Sequence, residues 1–263
     1  MKELKKALTY EEQIEKLEKE HGLLIEDINQ AIEILKSVNY YRLSGYGIGL
    51  KDINNRERYK QGVSFDLLFN LYKFDSELRN IIIYAIEQIE IQFRSRIAYQ
   101  LATKYGAEGY ISKNNFIEKK RKEEDEETIH YYVMKHFNEE CSRQRNTPFV
   151  RHHIINYKGR FPIWVAVELF TFGNLSSLYS IMLEDDKRSI SKLYNTHYSK
   201  LISWVLCLVE VRNICAHYGR LYNLPLRIKP PLPMQYQQYF QKQNKLFPVV
   251  LAIKLILQSN SQW

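Results

Sequence analysis

Arg212 and His217 are the residue types, at the spacing, that could break a phosphodiester bond without a metal. They lie near the end of the segment Trp204-Val-Leu-Cys-Leu-Val-Glu-Val-Arg-Asn-Ile-Cys-Ala-His-Tyr-Gly-Arg220. The chemistry such a pair fits is RNA transesterification. The 2′-hydroxyl attacks the adjacent phosphorus and the 5′-oxygen leaves. One group must take the 2′ proton and one must protonate the leaving oxygen. An imidazole ordinarily titrates at about pH 6.5, so histidine suits either role. Arginine offers a permanently charged planar fork to the phosphate oxygens as they gain charge. Asn213 can hydrogen-bond and orient either neighbour. On one helix Asn213 and His217 share a face at i,i+4, whereas Arg212 is turned from His217 by about 140°. The pair therefore flanks a groove.

The spacing alone is weak. With 15 arginines and seven histidines, about one Arg-x(4–6)-His match is expected by chance. A second match exists, from Arg145 to His152, but it spans Pro148 in a polar stretch. Only the 212–217 match ends an apolar run, where a charge is costly unless paired or used. The structural alternative is an arginine and a histidine satisfied by helix-end carbonyls or by Glu210. A salt bridge from Glu168 to Arg212 would account for two charges in apolar helices.

The elements that must position these residues read as helices. Residues 198–218 form an apolar helix up to Val211. Apolar periodicity predicts helix over 10–36 behind Thr9, interrupted at Gly22. Asn39–Gly49 reads as a tight aromatic connector. Ser64 caps a pattern from Phe65 to about Lys104. Forty helical residues would span about 60 Å, so a kink or break is expected. Residues 118–127 form a mixed charge run, an exposed helix face or loop. Residues 143–160 hold five Lys/Arg, two histidines and no acid, and Pro148 interrupts any helix there. Pro162 opens a helix to about Phe172, stopped by Gly173-Asn174. Short helices follow at 174–183 and 186–196. A Pro-rich loop, a polar Gln/Tyr stretch and an apolar helix at 247–258 complete the chain. No strand alternation and no repeat is evident. The fold class is all-α, one compact domain with an N-terminal helical extension over residues 1–60 and a polar insertion near 106–160.

Composition narrows the function classes. Hydrophobic residues make up 45% of the 263 and aromatics 13%, led by 20 tyrosines, which excludes a disordered chain. No apolar run is long enough for a transmembrane helix. The opening Met1-Lys2-Glu3-Leu4-Lys5-Lys6 lacks the apolar continuation of a signal peptide, so a cytoplasmic location is expected. Cys141, Cys207 and Cys215 have no CxxC spacing, and Cys207 and Cys215 read as buried thiols. No metal site and no cofactor is expected. The net charge is +8, and residues 187–263 hold eleven Lys/Arg against the single acid Glu210. That one-sided excess fits a polyanion such as nucleic acid, or else a solvated basic face.

Four segments carry a family resemblance. They are Asn39-Tyr40-Tyr41-Arg42-Leu43-Ser44-Gly45-Tyr46; Leu71 to Arg79 followed by Ile86 to Ala98; Phe161-Pro162-Ile163-Trp164 with Glu168 and Thr171 to Ser176; and Arg212 to His217. Over about residues 8–233 the chain resembles the Abi-like (AbiD/AbiF-type) abortive infection proteins of bacteria, part of the wider HEPN class of helical ribonucleases. The resemblance implies a HEPN-like helical bundle over 61–263. It also implies catalytic roles for Arg212 and His217 in an Arg-x4-His motif, with Asn213 as polar neighbour. A homodimer with facing motifs follows, as does a place in anti-phage defence or a toxin–antitoxin system, some members having a noncoding RNA partner. One motif supplies one histidine, and acid and base need two groups. Residues 106–160 look least family-like.

For RNA binding, Lys187, Arg188, Arg220, Arg227 and Lys229 are candidates for a phosphate track that ignores sequence. Tyr41 and Arg42, with Tyr40 and Tyr46, could stack on unpaired bases and hold phosphate; equally they could form a packed connector. Arg94 and Arg96 could reach RNA, or Arg94 could pair with Glu90. The competing functions are a catalytically silent RNA-binding sensor or scaffold, and a helical partner of other proteins.

Overall fold

The computed structural model describes residue 4 and residues 6–238 and 245–258. The first three residues, Lys5 and most of the Gln/Tyr stretch lie outside the described residues. The fold is all-α: among the described residues twelve α-helices and two short 3-10 helices form, and β pairing is limited to isolated bridges.

Two compact units divide the chain, Met1–Ile81 with Tyr218–Leu224, and Ile82–His217 with Pro225–Trp263. The division falls inside one helix.

In the first unit, α1 (Tyr10–Lys19) begins in a capping box. The Thr9 hydroxyl accepts from the Glu12 N–H at 3.2 Å and the Glu12 carboxylate accepts from the Thr9 N–H at 2.7 Å. The chain turns at Gly22 in the left-handed region, and Arg58 fills the space a Cβ would need. Helix α2 (Ile28–Ser37) follows, capped by Asp27, so the interruption read at Gly22 separates two helices. Residues 39–49 are helical, contrary to the connector expected. Asn39 Oδ1 caps Tyr41 N at 2.8 Å to start α3 (Tyr40–Ser44), and a 3-10 helix runs on through Gly45–Leu50. The glycines there do not end a helix. Gly47 instead leaves room for the Tyr59 ring. The core gathers Leu17, Leu35, Leu43, Tyr59, Phe65 and Leu68 among others.

Ser64 caps α4 (Phe65–Tyr105), its hydroxyl accepting from Leu67 N at 3.1 Å. The helix is continuous over 41 residues; the expected break is absent because the run contains no glycine or proline to cause one. Asp75 of α4 is fully buried and accepts from four groups. They are Arg79 Nη1 at 2.5 Å, Tyr46 Oη at 2.7 Å, Leu221 N, and Tyr222 N at 2.6 Å, with Leu221 N lying within 3.2 Å of both carboxylate oxygens. Four donors thus occupy one carboxylate, and through it the 218–224 segment is held in the first unit.

The second unit packs α5 (Ile129–Arg143) against α8 (Phe172–Ile181), and α8, α9 (Glu184–Lys192) and α12 (Leu246–Gln258) against α10 (Tyr198–Ala216). The segment read as a polar insertion is built into this core, since Phe137 of α5 meets Phe161 and Phe170 edge-on. The charge run before α5 lies in turns. Pro148 sits at the first position of α6 (Pro148–Tyr157), where its missing N–H is harmless. The helix expected from Pro162 to Phe172 is a single turn, α7 (Ile163–Ala166). Thr171 then caps Asn174 N at 3.1 Å, so Gly173-Asn174 starts α8 and does not stop a helix. Helix α10 buries Leu201, Trp204, Leu208 and Val211. Among the described residues no helix is long and apolar enough to cross a membrane.

Candidate active site

Helix α10 delivers Arg212, Asn213 and His217 as it reaches the surface of the second unit. On its upstream turns Val205, Leu208 and Val211 are fully buried. That burial fixes the rotation of the helix about its axis, and with it the direction of the polar residues one turn later. Arg212 is 37% exposed, while Asn213 and His217 are exposed. His217 is the C-cap residue. Its backbone N–H donates to Asn213 O at 3.1 Å, and its imidazole has no hydrogen bond among the described residues. The chain leaves through Tyr218 at φ 56°, a left-handed residue of the kind that ends many helices.

The partner of Arg212 comes from α4. Glu90 Oε2 lies 3.7 Å from Arg212 Nε, and Glu90 Oε1 accepts from Arg94 Nη2 at 2.5 Å. Arg94 also donates to the carbonyl of Val167. Glu90 is therefore shared between two guanidinium groups, and it is only 11% exposed. The three line a cavity of about 320 Å³ with Ile83, Glu87, Ile91 and Ala216. Arg212 also reaches Asn213 Oδ1 at 3.4 Å. Chemically this is a recess lined by two arginines and two carboxylates, Glu87 and Glu90, of which Glu90 pairs with both guanidinium groups, with an exposed imidazole on the next turn.

Two expectations about Arg212 are corrected. Glu168 is exposed beyond α7 and is not its partner. Glu210 does not satisfy it either. That carboxylate accepts from Arg227 N and Ile228 N, each at 3.0 Å, and from Arg227 Nε at 3.3 Å. Glu90 was read only as a neighbour of Arg94. Its one signal was the i,i+4 spacing, which says nothing of a contact with α10.

The proposed RNA-binding residues divide between the two units. In the first unit, Tyr41 is 85% exposed. Arg42 donates to Tyr218 O at 2.5 Å, and Arg220 donates to Gly45 O. Their guanidinium groups thus serve the 218–224 segment. In the second unit, Lys187 is buried, its Nζ 3.4 Å from Ser180 O, and burial pushes its ammonium below the ordinary lysine range. A phosphate cannot reach it there. Arg188 pairs with Glu184, whose carboxyl is held below the usual carboxylate range by that arginine. Arg227 pairs with Glu210 yet stays 88% exposed, and Lys229 is exposed. Among the described residues no three His, Cys, Asp or Glu side chains converge as metal ligands.

Residues 33–223, from α2 through the Arg212 recess, match the model of a family described as Abi-like protein. No curated protein and no solved structure matches the chain.

Proposed function

The chain belongs to the Abi-like protein family, and from that premise we propose that it is a metal-independent endoribonuclease of a bacterial abortive-infection or toxin–antitoxin system. In this reading Arg212 binds the scissile phosphate, His217 moves a proton, and Asn213 orients them. The supporting observation is the presence on one helix of a half-exposed, carboxylate-held Arg212 and an exposed imidazole that has no hydrogen-bond partner among the described residues. Glu90 fixes the Arg212 guanidinium before substrate arrives, and a preorganised donor avoids reorganisation at the moment of reaction. Asn213 contacts the guanidinium and shares a helical face with His217.

The balance of the reaction calls for a second copy. As the 2′ oxygen bonds to phosphorus its proton leaves, and as the P–O5′ bond breaks the departing oxygen needs one. A single motif offers one imidazole, so a HEPN-type homodimer with two facing motifs would supply both acid and base. The protein then sediments as a dimer, alone or when RNA is bound.

His217→Ala is the direct test. RNA cleavage and growth arrest disappear, while helix content, melting temperature and RNA binding stay as in wild type, because the side chain is exposed and makes no hydrogen bond among the described residues. Cleavage by that variant at the wild-type rate sinks the mechanism. Activity should survive EDTA. The competing reading, a silent RNA-binding sensor or scaffold, has one observation in its favour: Glu90 already neutralises much of the positive charge at the recess. It predicts salt-sensitive binding with no cleavage products.

A further inference from the structure

We propose that the end of α6 and the start of α7 form a stacking site for unpaired RNA bases, distinct from the Arg212 recess. The inference rests on RNA being the ligand of this protein, and it gives a role to a segment that has none so far.

A preformed column of rings carries the argument. His153 lies parallel to Phe161 at 5.2 Å and 16°, and parallel to Tyr157 at 5.1 Å and 26°. Phe161 is buried, while Tyr157 at the other end of the column is 54% exposed. Trp164, on the first turn of α7, is 56% exposed. Tyr157 and Trp164 border one cavity of about 600 Å³, together with His153, Asn156, Lys158 and Arg160. It shares no residue with the Arg212 recess. Rings held in a stack lose little freedom when a further flat ring joins them, and stacking on a base is tolerant of sequence.

Charge selects the partner. Residues 143–160 contain five Lys/Arg and no acid. Arg143 and Arg160 are matched by Glu140 and Glu108. Arg145, Arg151 and Lys158 are exposed and have no ion pair among the described residues. Of these, Lys158 lines the cavity, and an uncompensated cation beside open aromatic rings fits a polyanion with accessible bases. Duplex bases are already stacked, so a single-stranded segment is the better match. Lys158 at φ 55° is the left-handed C-cap that ends α6, directly before Gly159 at φ 75°.

The test compares binding of a fluorescein-labelled single-stranded RNA oligonucleotide with its blunt duplex, by anisotropy, using the full chain. Tyr157→Ala and Trp164→Ala should each weaken the single strand by about fivefold or more and leave the duplex little changed. Lys158→Gly relieves the backbone while removing a cation, so it keeps the fold; it should lower the salt dependence by about one counterion. Single-strand affinity unchanged in all three variants overturns the site, and so does an equal loss for the duplex. A variant that dissociates a larger species without altering RNA affinity overturns it too, in favour of self-association. Cleavage assays on the same preparations separate the two readings. If wild type cuts, His217→Ala does not, and the stack variants bind normally, this site fails alone. If nothing cuts but binding follows Tyr157 and Trp164, the endoribonuclease reading fails alone.

Discussion

At the scale of single residues, Glu90 decides what the recess presents to an anion. Its carboxylate is shared by Arg94 and Arg212, so a phosphate entering the recess meets two cations already partly neutralised. Glu90→Gln removes the charge and keeps the shape. Arg94, only 15% exposed, then loses its charge-assisted bond, at a cost of about 1–3 kcal/mol of stability. RNA should bind more tightly at low salt, with a slope steeper by about one counterion. Cleavage should fall, because the freed Arg212 is no longer held in one orientation. A salt slope identical to wild type would show that Glu90 does not screen the recess. Arg212 and His217 could be singled out by type and spacing, but Glu90 could not. Its contact with Arg212 depends on how α4 and α10 pack, and no local pattern encodes a packing register.

At the scale of elements, caps and one buried carboxylate set the boundaries. Thr171 is the hydroxyl that begins α8. Thr171→Ala should lower stability by about 1 kcal/mol, read as a lower denaturant midpoint with unchanged slope. Asp75 carries far more. Asp75→Ala strands Arg79, 5% exposed, and leaves the Leu221 and Tyr222 amides without their acceptor. The expected loss is about 3–5 kcal/mol, and a drop of less than about 1 kcal/mol would contradict the clasp. Burial and the bond from Tyr46 also push that tyrosine's hydroxyl up to about 12, so it stays a donor to Asp75 at ordinary pH. The long helix is legible in its apolar period, and the absence of glycine and proline from residues 65–105 encodes its continuity. The 39–49 and 171–174 segments are less legible, because glycine there mimics a stop where Asn39 and Thr171 supply caps.

At the scale of the molecule, net charge was a poor guide to where cations are available. The basic excess of residues 187–263 pointed to Lys187, Arg188 and Arg227. Folding buries the first and gives the other two acidic partners. Lys229 stays exposed without an ion pair among the described residues, and so do Arg145, Arg151 and Lys158 of residues 143–160. Composition counts charges without counting pairs, and pairing is decided by tertiary structure. The all-α class, by contrast, was open to sequence reading, because helical periodicity is a local property repeated many times along the chain.

The cysteines have a practical use. Burial pushes the Cys207 thiol up to about 12 and the Cys141 thiol up to about 11, and Cys215 is also buried. Near neutral pH the folded protein therefore offers a maleimide almost no thiolate. The native chain should take up well under one label in the time a free thiol reacts to completion, and all three cysteines should react once it is denatured. Prompt stoichiometric labelling of the native protein would contradict this. If it holds, a cysteine introduced beside Trp164 could carry the sole reporter dye on an otherwise unmodified protein.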